Sequence, residues 1–327
     1  MSSKTLCRML LGVSLLGSSL VAWSQTAATF PNKPVKWIVP FAPGGPTDTI
    51  SRVIALRLTN IWGQAVVVEN RSGASGNIGA EYGARSAPDG YTIVFGTQGT
   101  HASNIILMPN ASFDPLRDSQ AVTLLGTSCL ALITPTALPV TNARELVNWI
   151  RSQNGAVNYS TAAAGSSQHV AAELMLKQTG TQATHVPYRG SSAAYPDLIS
   201  GRMSFMFENL PGAMPLARAG RVKALAQTCE RRASTAADLP TMVEAGFAGF
   251  VVEGWYGAFV APKTPRAIVE QLSVDINKAL LHPDLMARWS DLGFTPIGSS
   301  PEVMAKRQED DLRYWRKMIE FTGVKMQ

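Results

Sequence analysis

The chain has 327 residues, of which 46% are apolar, and a formal net charge of +6 at pH 7. This length allows two domains, and the composition is typical of a globular protein with a sizeable core. No block of clustered Lys and Arg and no nucleic-acid-binding module occurs, so we expect no nucleic-acid partner.

The first 24 residues have the features of a secretory signal peptide. Lys4 and Arg8 give a basic start, residues 9–22 are apolar, and residues 22–24 (Ala-Trp-Ser) form a small-x-small cleavage site. The apolar run is too short for a comfortable membrane span. We therefore expect export to the periplasm and a mature chain that begins near Gln25. Residues 29–327 hold 27 basic and 23 acidic residues, a mild surplus that suits a protein meeting anionic small molecules.

The stretch from Trp37 to Asp48 predicts an anion-binding loop. An apolar strand ends at Val39, a Pro- and Gly-rich turn follows, and apolar residues recur at helical spacing from Asp48 onward. In such an arrangement the N–H groups of the turn converge with the unpaired N–H groups of the helix start. Thr47 or Asp48 is the expected N-cap. Taken alone, the stretch fits a loop that only turns a corner equally well.

Strand and helix patterns alternate along the chain. The predicted strands span residues 35–39, 65–69, 91–96, 122–134, 156–160, 184–188, 203–207, 222–228 and 251–260. The predicted helices span residues 48–61, 78–86, 142–153, 170–178, 193–200, 214–219, 265–281, 283–292 and 301–321. This alternation predicts an α/β fold with a parallel sheet and helices on its faces.

Two long apolar runs, residues 122–134 and 251–260, separate two alternating sets of elements. A chain that crosses to a second domain and returns needs two such connecting strands. We therefore place domain 1 at residues 29–128 plus 257–327 and domain 2 at residues 129–256.

Two cysteines, Cys129 and Cys229, lie outside the predicted signal peptide. An exported compartment permits a disulfide between them, whereas their apolar, strand-like surroundings suit two separate buried thiols at least as well. Both alternatives stay open. No Cys/His spacing indicates zinc, and no metal or cofactor is predicted.

A second strand–turn–helix stretch repeats the pattern of the first. A strand ends near Ser160, a Gly-containing turn follows, and hydroxyl residues begin the next helix. The candidate ligand-binding residues of this stretch are Gly165, Ser166, Ser167, Gln168 and His169. Ligands of open α/β sheets bind at such strand ends, and two opposed loops could each hold one carboxylate with uncharged donors. The alternative is that the two serines merely cap the helix.

Ser167 and His169 also suggest an exported serine hydrolase. No G-x-S-x-G elbow occurs in the chain. Residues two apart at a helix start point roughly 200° apart, so His169 is poorly placed to act as a base for Ser167. No catalytic residue is predicted.

Further candidates lie at the ends of other predicted strands, where they would face the same cleft. They are Thr97, Gln98 and His101 after strand 91–96, Tyr188 after strand 184–188, and Glu208 and Asn209 after strand 203–207. Phe41 and Trp255 could supply apolar walls. For each residue alone, an ordinary loop or packing role is the simpler interpretation. Their shared position at the carboxyl ends of strands favours a ligand-binding role for the set as a whole.

These residues resemble those of a known family, the periplasmic substrate-binding proteins of tripartite tricarboxylate transporters, also called the Bug family. The similarity runs over essentially the whole chain after the signal peptide. It is carried by residues 39–48 (VPFAPGGPTD), 66–71 (VVVENR), 76–79 (GNIG), 87–91 (APDGY), 165–169 (GSSQH), 185–190 (HVPYRG), 239–246 (LPTMVEAG) and 255–257 (WYG).

The resemblance implies a two-domain type II binding protein, or Venus flytrap, with two connecting strands and no catalytic step. It implies that the loop from Phe41 to Thr49 binds one carboxylate of the ligand, partly through ordered water, and that residues 165–169 hold the other end. The complete set of predicted ligand-binding residues is Phe41, Ala42, Pro43, Gly44, Gly45, Thr47, Asp48, Thr97, Gln98, His101, Gly165, Ser166, Ser167, Gln168, His169, Tyr188, Glu208 and Asn209.

The expected ligand is a di- or tricarboxylate, an aromatic acid or an acidic amino acid, and the expected partners are membrane permease subunits. We expect a monomer. Two departures from the family pattern fall where ligand choice is set: Glu208-Asn209 replaces a frequent Asp-Asn, and Thr97-Gln98-Gly99 replaces a run of small polar residues. A serine hydrolase and a sensor that reports to a signalling partner remain the alternative functions.

Overall fold

The computed structural model describes residues 30–108, 110–283 and 294–323. The predicted signal peptide and nearly all of the predicted helix 283–292 lie outside this part of the chain. Within it, no helix combines the length and the apolar character that crossing a bilayer requires.

The predicted strands are present, with ends that differ from the predicted ones by at most two residues. The strands are β1 (Val35–Val39), β2 (Val66–Asn70), β3 (Thr92–Thr97), β4 (Gln120–Pro135), β5 (Asn158–Thr161), β6 (Thr184–Pro187), β7 (Phe205–Asn209), β8 (Val222–Gln227), β9 (Glu253–Val260) and β10 (Thr295–Pro296). Only the short β10 has no counterpart in the prediction.

The helices agree less closely with their predicted ends. They are α1 (Pro46–Trp62), α2 (Asn77–Ala84), α3 (Asn104–Leu107), α4 (Ala143–Ser152), α5 (Ser167–Thr179), α6 (Ser191–Ile199), α7 (Leu210–Arg218), α8 (Arg266–Leu280) and α9 (Pro301–Thr322). Helix α3 and the wide turn before it, Gly99–Ser103, were not predicted, because so short an element shows no periodicity. Helix α7 begins four residues earlier than predicted, since a proline is tolerated in a first turn.

Helix α1 begins with Pro46, and Gly45 is its N-cap. The prediction that Thr47 or Asp48 caps this helix was therefore wrong. Proline lacks an N–H group and has a helical φ, so it suits the first helical position.

The strands pair in the order β2-β1-β3-β9-β4-β7-β5-β6, and β8 and β10 also pair with β4. Strands β1, β2 and β3 are parallel, as are β5, β6 and β7. Strands β4 and β9 run antiparallel to their neighbours. The sheet is thus mixed and not parallel throughout, because these two strands carry the chain between its two halves.

Strand β4 belongs to both halves of the molecule. Its first part, Gln120–Cys129, pairs with β9, and the following part, Leu130–Ile133, pairs with β7. It is buried along nearly its whole length, which explains why it appears in the sequence as one long apolar run. The domain limits at residues 128/129 and 256/257 remain a prediction.

Cys129 and Cys229 form a disulfide, with their Cα atoms 5.2 Å apart. This decides between the two alternatives that the sequence left open. Cys129 lies at the point where β4 changes partner from β9 to β7. The disulfide therefore ties that point of β4 to the segment that follows β8.

Helices α1 and α8 cover one side of the β1–β3–β9–β4 half, around Trp37, Ile54 and Leu272. Helix α9 does not share the core cluster of α1 and α8. Its Trp315 belongs to a second core cluster, which extends into the other half of the molecule. The indole N–H of Trp255 on β9 donates a hydrogen bond to Asp311 of α9. The last helix thereby fixes a strand whose residues border the cavity described next.

Candidate functional site

A cavity of about 60 Å³ lies at the carboxyl ends of β1, β3, β5 and β7, where open α/β sheets bind their ligands. None of its lining residues carries a charge. They are Phe41, Ala42, Gly45, Pro46, Thr47, Thr97, Gln98, Gly99, Ala162, Ser166, Ser167, Gln168, Ser191, Asn209, Gly254, Trp255 and Tyr256. At roughly 10–15 Å³ for each water molecule, the cavity has room for several waters or a short polar ligand.

The first loop (residues 41–45) leads from β1 into α1 and forms one wall. Gly44 has a φ of +82°, a left-handed conformation that glycine adopts without strain. The N–H groups of Thr47 and Asp48 lie in the first turn of α1 and have no intrahelical acceptor. A helix N-terminus is partially positive, so this wall favours an anion without a cationic side chain.

Asp48 stabilises the first loop from behind and does not line the cavity. Its carboxylate accepts hydrogen bonds from the Gly44 N–H (3.0 Å), the Arg52 Nε–H (2.9 Å) and the Asn70 side chain (3.0 Å). Burial would raise the pKa of Asp48, but these hydrogen bonds outweigh it and hold the pKa below its ordinary value. The group is therefore an ionised support of the loop.

The second loop (residues 162–166) leads from β5 into α5 and forms the opposite wall. Ser166 is the N-cap, and its Oγ accepts a hydrogen bond from the His169 N–H. The predicted cap is thus present, and the neighbouring Ser167 lines the cavity. The N–H groups of Ser167 and Gln168 have no intrahelical acceptor, so both cavity walls are helix N-termini.

A third loop (residues 188–192), which follows β6 and includes the first two residues of α6, contacts the first loop directly. The Ala42 N–H donates to the Arg189 carbonyl (3.2 Å), and the Ser192 hydroxyl donates to the Pro43 carbonyl (2.9 Å). Elsewhere the Ser103 hydroxyl donates to the Gly165 carbonyl (2.6 Å). The two halves of the molecule therefore meet around the cavity, which is the geometry of a closed cleft.

Two polar side chains at the cavity are buried without partners. Gln98 is 2% exposed, and neither atom of its amide has a hydrogen-bond partner in the described part of the chain. The Tyr256 hydroxyl is also buried and has no hydrogen-bond partner among the described residues. An unpaired buried polar group is costly, so these groups are available to a ligand or to bound water.

Glu208 lies directly behind the cavity wall. Its Oε1 accepts hydrogen bonds from the Gln168 side chain (3.0 Å) and from the Asn209 N–H (2.7 Å), and both of those residues line the cavity. Burial raises the pKa of Glu208 to about 7, while the neighbouring polar groups of Ser191, Asn209 and Tyr195 act in the opposite direction. The carboxyl thus orients two wall residues without lining the cavity.

The histidines of the predicted site also point away from the cavity. The His101 ring stacks on Phe259, with centroids 3.9 Å apart, and the His169 ring stacks on His185 at 3.8 Å. The His169 Nδ1 accepts a hydrogen bond from the Gly165 N–H (3.0 Å). Burial lowers the pKa of both His101 and His169 to about 3, so both rings are neutral.

The predicted site residues therefore fall into two groups. Those that line the cavity are Phe41, Ala42, Gly45, Thr47, Thr97, Gln98, Ser166, Ser167, Gln168 and Asn209. Those that do not are Pro43, Gly44, Asp48, His101, Gly165, His169, Tyr188 and Glu208. Tyr188 instead donates a hydrogen bond from its hydroxyl to Asp197 (2.6 Å). Ligand contact remains a prediction for the whole set.

Sequence reasoning missed several lining residues. They are Pro46, Gly99, Ala162, Ser191, Gly254 and Tyr256. The strand–turn–helix signal at residues 184–191 could have identified Ser191 by the same argument as Ser166. No comparable signal marks Gly254 or Tyr256, because a connecting strand does not reveal which of its faces borders a cavity.

The geometry disfavours the hydrolase interpretation. His169 uses its Nδ1 to accept a hydrogen bond from a backbone N–H group, and its ring is stacked on His185. Its Nε2 lies 4.0 Å from the Glu173 carboxylate. In the described part of the chain, no hydrogen bond joins His169 to the Ser167 hydroxyl, so no base is in place to activate that serine.

Residues 50–324 match the sequence model of the family described as "Tripartite tricarboxylate transporter family receptor". The chain is also similar to the protein BugT of Bordetella pertussis, with 34% identity over 94% of each chain.

Two solved structures are similar as well. Rpa4515 of R. palustris with adipate has a TM-score of 0.88 and 35% identity, over 90% of this chain and 99% of that one. MatC (Rpa3494) of Rhodopseudomonas palustris with bound malate has a TM-score of 0.84 and 32% identity, over 89% of this chain and 100% of that one.

Proposed function

The chain belongs to the receptor family of tripartite tricarboxylate transporters, the Bug family, and from this we propose that it captures a small carboxylate in the cavity between its two halves. The fold is that of the two-domain periplasmic binding proteins. In this proposal the receptor is exported, acts as a monomer and delivers its ligand to membrane permease subunits.

The observation that carries this proposal is the pairing of two helix N-termini across an uncharged cavity. The first turns of α1 and α5 direct backbone N–H groups towards it, and Ser167, Thr97 and Gln98 add side-chain donors. Charge-assisted hydrogen bonds from such groups to a carboxylate are stronger than neutral ones. Uncharged donors that are already in place bind an anion at little cost in ordering.

A dicarboxylate is the ligand class that we propose first. Adipate and malate, in the two related structures, each carry two carboxylates. Here the walls offer two separate helix N-termini, so one carboxylate could lie at each. Aromatic acids, which pair a carboxylate with an apolar ring, and acidic amino acids, which add an ammonium group to two carboxylates, are the next classes to test.

Capture would proceed by closure of the two halves about β4 and β9. The contacts between the first and third loops close the cleft on one side. Exclusion of water from the closed cavity strengthens each hydrogen bond to the ligand. No covalent step is involved.

The first test is a thermal-shift screen against adipate, malate, citrate, benzoate and glutamate. A ligand at 100 times its dissociation constant should add about 2.7 kcal/mol to the free energy of unfolding. The absence of any shift with every carboxylate would contradict the proposal. Recovery of the permease subunits with the loaded receptor would separate transport from a sensor role.

The Ser167→Ala variant tests the position of the site. Removal of a hydrogen bond to a charged ligand costs about 1.5–3 kcal/mol, so calorimetry should show a rise in Kd of roughly 10- to 150-fold. Ser200→Ala, at an exposed position directly after α6, is the matched control and should bind the ligand as the wild type does. Unchanged affinity in Ser167→Ala would mean that the site lies elsewhere.

A further inference from the structure

The Glu208 carboxyl has one buried oxygen that lacks a partner. Oε1 accepts hydrogen bonds from Gln168 and Asn209, whereas Oε2 is buried and has none within the described residues. An unpaired carboxylate oxygen is costly in such a place, and a proton on it removes most of that cost. The Tyr195 hydroxyl lies beside the carboxyl. It can accept from a protonated Oε2 or donate to an ionised one, so burial without a counter-charge, and not this neighbour, is what favours the proton.

Among the residues that the structure describes, no positively charged group compensates an ionised Glu208. The titratable groups that face it are Tyr195 of α6 and Tyr256 of β9, and burial raises the pKa of both, which keeps them neutral. Strand β4 places Ala131 opposite Glu208. Helix α5 contributes Gln168 and helix α7 contributes the backbone at Gly212, and neither of these titrates.

Only one layer of side chains separates this carboxyl from the cavity. Gln168 and Asn209 bind the Glu208 oxygen on one side and line the cavity on the other. A carboxylate in the cavity would therefore face an ionised Glu208 across a buried wall without counter-charge. Repulsion between like charges is weakly screened in such surroundings.

We propose that Glu208 is a proton-binding site coupled to the ligand site, so that the receptor takes up about one proton from solvent when it binds its anionic ligand. This rests on the proposed capture of a carboxylate. The proton forms an O–H bond at Glu208 Oε2, and no other bond changes. By linkage the proton and the ligand increase each other's affinity by the same factor.

Ligand binding should weaken as the pH rises. In the closed structure without a ligand, burial raises the pKa of Glu208 to about 7, and a bound anion raises it further. Above about pH 7 the Kd should therefore rise by up to tenfold per pH unit, and below about pH 6 it should level off. The buried His101, His169 and His185 have pKa values of about 3, 3 and 4, so they add nothing to this slope.

Calorimetry with adipate and malate as probes tests the proposal on the wild-type protein. Both probes are fully ionised above about pH 7, so a change in Kd there reports the protein. Titrations at about pH 8 in phosphate and in Tris, which differ in ionisation enthalpy, count the protons exchanged. We expect uptake of about one proton per ligand and a Kd about tenfold higher at pH 9 than at pH 8.

The Glu208→Gln variant should bind both probes with a Kd that no longer depends on pH, because the amide keeps an oxygen for Gln168 and Asn209 and cannot ionise. Glu270→Gln makes the same charge change on the exposed side of α8 and should keep the wild-type slope. A wild-type Kd that is flat between pH 6 and 9 without proton uptake would overturn the proton site alone. A wild-type slope that persists in Glu208→Gln would do the same, whereas no binding of either probe at any pH contradicts the carboxylate proposal itself.

Discussion

At the scale of single residues, the polar groups near the cavity divide into those that face it and those that support it. Ser167 and Gln98 face it, whereas Asp48 and His169 bind the backbone of the two loops from behind. Supporting groups act by holding N–H groups in place, so their loss should affect the fold and the site together. A change in their protonation would remove the same hydrogen bonds to the backbone, and so would also affect both the fold and the site.

The stacked pair His169 and His185 predicts a loss of stability in acid. Burial lowers their pKa values to about 3 and about 4, whereas histidine in an unfolded chain titrates near 6.5. Their contribution is therefore complete above about pH 6.5 and is lost as the pH falls through this window. Urea unfolding should show a free energy of unfolding that falls steeply from pH 7 to pH 5.

The His185→Phe variant isolates one member of the pair. Phenylalanine keeps the ring stack but cannot take up a proton, so the decline between pH 7 and pH 5 should shrink by about 2 kcal/mol. The comparison is of the decline and not of absolute stability, since the variant also loses the hydrogen bond between His185 and Thr161. An unchanged decline would assign the acid sensitivity to other groups.

At the scale of elements, the site is a meeting of helix N-termini and loops. Helices α1 and α5 supply the walls of the cavity. The third loop, at the start of α6, contacts the first loop through the Ser192 hydroxyl and the Ala42 N–H. Ser192 does not line the cavity. In the proposed closure, its hydrogen bond would therefore contribute without touching the ligand.

The Ser192→Ala variant should release ligand faster. One exposed hydrogen bond contributes about 0.5–1.5 kcal/mol, so the dissociation rate should rise roughly two- to tenfold with little change in the association rate. Stopped-flow fluorescence of Trp255, which lines the cavity, is the measurement. The Ser200→Ala control, at the other end of α6, should dissociate as wild type does; equal rates in all three proteins would remove the third loop from the closure mechanism.

At the scale of the whole molecule, β4 and β9 join the two halves, and a disulfide ties β4 to the segment that follows β8. Strand β4 pairs in both halves, and the disulfide from its midpoint closes a loop across a sequence separation of 100 residues. That loop contains β5 to β8. Cross-linking a long loop stabilises a protein chiefly by restricting its unfolded chain.

Replacement of both cysteines, Cys129→Ala with Cys229→Ala, should lower the free energy of unfolding by about 2–4 kcal/mol. Urea denaturation of the variant, of the wild type and of the wild type with reductant should show the last behaving like the variant. Ligand affinity should change little, because neither cysteine lines the cavity. Equal stability of the oxidised and reduced wild type would contradict a structural role for the disulfide.

Much of the fold was predictable because its signals are local. Each strand except the short β10, and most helices, show their own periodicity, so the α/β class and the element order followed from the sequence. Helix α3 and the antiparallel direction of β4 and β9 did not, because the first is too short for a period and the second depends on which strands become neighbours. The disulfide was undecidable for the same reason, since it requires the distance between two distant residues.

The sequence by itself determined the two strand–turn–helix loops at residues 37–48 and 160–169, because N–H groups at a helix start are set by neighbours within a few residues. Only the tertiary structure decided which side chains face the cavity between them. His101 and His169 turned towards aromatic partners, whereas Ser191 and Tyr256 came in from other strands and loops. The direction of a side chain at a strand end depends on what packs against it, and those contacts form between residues far apart in the chain.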